Sequence, residues 1–65
     1  MIYQYRVSVS GEKIKESNTW SNIIKQATIL AEENKGEVVR VRSANGVISE
    51  SFIWSEEDKD IIPSY

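Results

Sequence analysis

Glu37-Val38-Val39-Arg40-Val41-Arg42-Ser43-Ala44-Asn45-Gly46-Val47-Ile48-Ser49-Glu50-Ser51-Phe52-Ile53-Trp54 is two alternating runs joined by Asn-Gly. Asn-Gly tolerates positive φ at both positions and favours the type I′ turn of a β-hairpin. A two-residue loop pairs Ala44 with Val47, Val41 with Glu50, Val39 with Phe52 and Glu37 with Trp54. One face then carries Val39, Val41, Ile48, Phe52 and Trp54, and the other Arg40, Arg42, Ser49 and Ser51. A three-residue loop would slip the pairing by one and set valines beside serines, mixing the faces, so the two-residue loop is the expectation.

Outward from the hairpin, Ile2 to Ser10 alternates, with Tyr3, Tyr5, Val7 and Val9 on one face and Gln4, Arg6 and Ser8 on the other. That is a half-buried strand. Gly11 ends it, and residues 12–16 read either as a loop or as a short lysine-bearing edge strand. Ser17, Asn18 and Thr19 are three candidate N-caps. Trp20, Ile23, Ile24, Ala27, Leu30 and Ala31 follow at helical spacing, and Gly36 suits the C′ position, so a helix is predicted from about Thr19 to Lys35. The fold class is α+β: one amphipathic helix packed on a three- to five-stranded antiparallel sheet, in the order β-(β)-α-β-β. Residues 1–54 form this single domain. Residues 55–65 read as an acidic C-terminal tail, with Ile61-Ile62-Pro63 apolar enough to pack back as an edge segment.

The chain has 65 residues, net charge −2, no Cys and no His. It has no disulfide and none of the usual zinc ligands, and it lacks the commonest general base and the thiol nucleophile. A cytoplasmic protein without a signal peptide or a membrane span is expected. The charge is uneven: residues 1–54 carry +1, and residues 55–65 carry −3. A nearly neutral body with an acidic end argues against direct duplex DNA binding and in favour of a protein partner.

Several residues can carry such binding. Arg40 and Arg42 stand on the polar hairpin face, with Arg6 and Lys13 nearby if the strand order allows. The plainer reading is a solvated sheet face. Lys25 and Ile29 lie on a helix flank, and Ile29, with Ile2 and Val47, could seed a homodimer; single exposed apolar residues are also common. Glu56, Glu57 and Asp58 could clamp basic groups of a partner or act only as a solubilising run. Trp20 and Trp54 are read as core. Glu50 has no second carboxylate or base placed with it, so no catalytic residue is assigned. Asp58 and Asp60 lack calcium-loop spacing, so no metal or cofactor site is expected.

The elements Gln26-Ala27, Ala31, Gly36-Glu-Val-Val-Arg-Val-Arg42 and Asn45-Gly46 resemble two families. One is a short uncharacterised bacterial helix-hairpin domain family. The other is the small type I-F anti-CRISPR proteins, which share an early strand, a helix containing Gln-Ala and a Val-x-Arg strand ending at Asn-Gly. The resemblance covers roughly residues 2–54. It implies a non-enzymatic protein that binds an RNA-guided surveillance ribonucleoprotein and blocks access to target DNA. This chain departs in its acidic balance and acidic tail. Arg40 coincides with the shared hairpin pattern, and Lys25 is the nearest basic helix residue. The expectation is a non-enzymatic binding module, with no small-molecule substrate and no membrane partner. A phage or mobile-element inhibitor of a bacterial defence complex is the specific form. A self-associating bacterial or prophage domain, or a weak nucleic-acid binder using Arg6, Arg40 and Arg42, are the alternatives.

Overall fold

The computed structural model describes residues 4–9 and 13–64. Ile2, Tyr3, Gly11 and Glu12, to which the sequence assigned roles, lie outside the described residues. The elements are β1 (Tyr5–Val9), β2 (Lys13–Ser17), α1 (Trp20–Glu33), β3 (Val39–Ser43), β4 (Ser49–Ser55) and β5 (Asp60–Pro63). All strand pairs are antiparallel, in the order β2-β1-β3-β4-β5. This is the expected α+β architecture, with both optional edge strands present.

The helix lies across one face of the sheet because its apolar stripe and the sheet's alternation meet there. Val7, Val9, Val39 and Val41 pack against Ile23, Ala27, Leu30 and Ala31, and all eight are buried. Ala27 and Ala31 have small side chains, so the helix can approach the valines of the two central strands closely. Tyr5, Ile24, Phe52, Trp54 and Ile61 close the margins. Trp20 is not core: it is 37% exposed and meets Tyr5 edge-on, with ring centroids 5.4 Å apart at 70°. Its place in the first turn, above the end of β1, reaches the rim of the core and not its interior.

The three candidate caps divide the work. Thr19 is the N-cap, extended at φ −124° and ψ 145°, and its hydroxyl accepts from the Asn22 N–H at 3.3 Å. The Ser17 hydroxyl accepts from the Thr19 N–H, and Asn18 Oδ1 accepts from the Gln4 N–H. The helix stops earlier than Lys35. Asn34 is its C-cap, with backbone N–H directed to the Ala31 and Leu30 carbonyls and side-chain amide donating to Leu30 O at 2.8 Å. Gly36, at φ +90°, serves the following turn, in which the Glu37 N–H donates to the Asn34 carbonyl.

The hairpin register is the one expected: Val39 faces Phe52, Arg40 Ser51, Val41 Glu50 and Arg42 Ser49. The turn is not. Among the described residues Asn45 is not at positive φ, whereas Gly46 is, at +79°. The loop spans four residues, 44–47, closed by Ser43 and Ile48. The Ser43 N–H donates to Ile48 O, and the Ile48 N–H donates to Ser43 Oγ, both at 2.9 Å. Asn45 Oδ1 accepts from the Val47 N–H at 3.0 Å and from the Ser43 hydroxyl at 2.6 Å. Such a side-chain-built turn replaces the type I′ geometry. Loops of two and four residues have the same parity, so the strand pairing is unaffected. The expected Glu37–Trp54 pair is not part of the ladder, since β3 begins only at Val39; on the other side of β4, Trp54 pairs with Ile61 of β5.

Candidate binding surface on the uncovered sheet face

The helix covers one face of the sheet, and no described element covers the other. Strand alternation decides what stands there. In the first row Glu16, Arg6, Arg42 and Ser49 lie side by side across β2, β1, β3 and β4. In the next row stand Ile14, Ser8, Arg40 and Ser51. Further along this face Ile53 pairs with Ile62, and Val38 lies exposed just before β3. Ile14, Val38 and Ile62 are 48%, 45% and 38% exposed.

Arg6 and Arg42 are direct cross-strand partners. Like charges placed opposite one another in a sheet are destabilising. Glu16 offsets one of them through an ion pair to Arg6 at 3.2 Å. Among the described residues neither Arg42 nor Arg40 has an ion-pair partner. Arg6, Ser8, Ile14, Arg42, Ser43, Ala44 and Gly46 line a shallow depression of about 320 Å³ at this end.

Glu56 has a different setting. Its carboxylate forms an ion pair with Lys35, accepts from the Trp54 indole N–H at 3.1 Å and from Lys59 Nζ at 3.3 Å. The bond from Lys35, with those from Trp54 and Lys59, holds its pKa down to about 2, and the Glu56 carboxylate in turn pushes the Lys35 ammonium up. Glu56 therefore fastens the β4–β5 turn to the segment after the helix. Asp58 is also engaged within that turn, where its N–H donates to Ser55 Oγ at 3.2 Å and its carboxylate lies 3.1 Å from the same hydroxyl. Glu57 is exposed. The acidic run is thus a hairpin turn between two strands, closed by the Lys59 N–H donating to Ser55 O at 2.8 Å with Lys59 at φ 56°.

Lys25 and Ile29 stand one turn apart on the solvent side of α1, Ile29 at 45% exposure. The residues picked out from the sequence are therefore divided among three surfaces. Arg40 and Arg42 share the sheet face, Lys25 and Ile29 the helix face, and Glu56, Glu57 and Asp58 the β4–β5 turn. Arg6 and Glu16 join the first group because β1 lies next to β3. Val38 and Ile53 carried no role in the sequence reading, although their odd-even position relative to Val39 and Phe52 was available as a signal; Ile62 belongs to the segment expected to pack back as an edge, and its face follows only from its pairing with Ile53.

Glu50 lies beside a depression of about 280 Å³ lined also by Ser49, Ser51, Pro63 and Ser64, none of them a base or second carboxylate. Among the described residues no three potential metal ligands are grouped, and no helix is long and apolar enough to cross a membrane. Comparison with protein families, curated proteins and solved structures returns no match.

Proposed function

We propose that this chain is a non-enzymatic protein-binding module that docks an acidic protein surface on its uncovered sheet face. The observation that carries this reading is the Arg6–Arg42 pair, a like-charge juxtaposition with Arg40 in the adjacent row. Glu16 offsets Arg6, so the positive charge left for a partner is that of Arg42 and Arg40, and an incoming carboxylate pairs with it. Guanidinium groups bind carboxylates in a two-pronged geometry that lysine cannot supply. The exposed Ile14, Val38 and Ile62 add apolar contact beside the charges.

A protein suits this face better than a nucleic acid. Single strands bind on aromatic platforms, and among the described residues the strand aromatics Tyr5, Phe52 and Trp54 lie toward the helix. Duplex binding needs more phosphate neutralisation than three arginines in a chain of net charge −2 provide.

The narrower form of the proposal is an inhibitor carried by a phage or mobile element. It would act in the bacterial cytoplasm by binding an RNA-guided defence complex and blocking target DNA access. The resemblance of the helix-hairpin segment to type I-F anti-CRISPR proteins supports it. The test is affinity capture from bacterial lysate with the wild-type chain and with an Arg40→Glu, Arg42→Glu variant. Capture of a ribonucleoprotein complex by the wild type alone is the expected result. Equal capture by both chains overturns the sheet-face reading.

A further inference from the structure

The uncovered face is polarised along its strands. Arg6 and Arg42 mark one end, with Arg40 in the next row. At the other end Asp60, opposite Ser55, shares the face with Ile62, and Asp58 is held against the Ser55 hydroxyl. Between them lie Val38, Ile53 and Ile62. From Ser49 to Ser55 along β4 is about 20 Å of strand. Glu16 offsets Arg6 at the first end, which stays net positive through Arg42 and Arg40; a face positive at one end, apolar in the middle and negative at the other is complementary to itself when turned end for end.

We propose that two copies of this chain associate sheet to sheet through this face, about a two-fold axis lying in the plane between them. Arg42 of each copy, with Arg6 beside it, then lies toward Asp58 and Asp60 of the other, Arg40 borders the apolar row, and the apolar middles meet. The alternative orientation sets arginines on arginines, so charge selects one arrangement. The inference rests on the reading of this face as a protein-docking surface and names a second copy as its occupant. Edge-to-edge pairing is a poorer route. The β2 edge carries Lys15 among its five residues, and β5 has only four residues and ends at Pro63. Five strands give a face about 24 Å wide, small for a permanent interface. The dimer is therefore in rapid exchange and salt-sensitive, and an acidic partner must displace the second copy to reach the arginines.

Sedimentation equilibrium of the full chain, from micromolar to millimolar protein at low and high salt, tests this. A monomer–dimer equilibrium weakened by salt is expected. Arg42→Glu and Asp60→Lys should each weaken it about tenfold or more, and the two together should restore it. If Asp60→Lys does not fold by circular dichroism, Asp58→Lys takes its place. A wild type that stays monomeric at millimolar protein and low salt overturns the proposal. So does a dimer indifferent to both reversals, or one not restored by combining them. If the wild type is monomeric yet Arg42→Glu abolishes lysate capture, only the dimer fails. If the charge swap behaves as expected and capture is unaffected, only the proposed function fails.

Discussion

Lys35 and Glu56 join the segment after the helix to the turn between the last two strands by an ion pair. The same carboxylate accepts from the Trp54 indole, so helix end, sheet and turn meet at one side chain. This contact gives the acidic run a structural role that charge counting alone would not assign.

Because the folded-state pKa of Glu56 is held down to about 2, its contribution is present above the ordinary carboxylate range. It is lost as pH falls through that range toward the folded value. Glu56→Gln is expected to melt at a lower temperature than the parent at pH 7, with the two curves converging as pH approaches 2. Melting temperatures that differ by the same amount at pH 7 and at the acid end contradict this assignment.

Gly46 is at φ +79° with nothing within 4 Å of where a Cβ would stand, so the cost of a side chain there is backbone strain alone. Gly46→Val should destabilise by about 1–3 kcal/mol. Asn45→Ala should also destabilise, because it removes the acceptor of the Ser43 hydroxyl and the Val47 N–H. Urea titrations of both variants measure this. A parent-like midpoint for Gly46→Val would exclude the turn geometry.

Ile23 is fully buried between helix and sheet. Ile23→Ala should cost about 2–5 kcal/mol. A chain of this size has roughly 3–10 kcal/mol to lose, so that variant should be close to unfolded at 37 °C by circular dichroism. Ile29→Ala, on the solvent face of the same helix, should leave the melt nearly unchanged.

Direct binding to random duplex DNA should be weaker than micromolar at physiological salt, measured by fluorescence anisotropy. Sub-micromolar affinity with a steep salt dependence would favour the nucleic-acid alternative.

The helix, the hairpin register and the faces of Tyr5, Val7 and Val9 were readable because each rests on a local period. The turn was misread because Asn-Gly serves two loop lengths of equal parity, and the choice lies in the Ser43 and Asn45 side-chain bonds. The helix end was misread because Asn34 caps it ahead of the more obvious Gly36. The position of Arg6 opposite Arg42 depends on β1 lying between β2 and β3, a long-range choice that no local pattern encodes. The Glu56 contacts depend on the same topology, since Lys35 and the β4–β5 turn meet only once the sheet is assembled.

The central claim is that Arg6 and Arg42 are kept opposite one another for binding and not for the fold. The most direct measurement takes Arg42→Glu and reads stability and lysate capture on the same preparation, with Lys25→Glu on the helix face as the control. Replacing the like-charge pair by an opposite-charge pair should raise stability by about 0.2–1 kcal/mol and abolish capture, while Lys25→Glu leaves capture intact. Lower stability with capture retained would make Arg42 a structural residue and contradict the account.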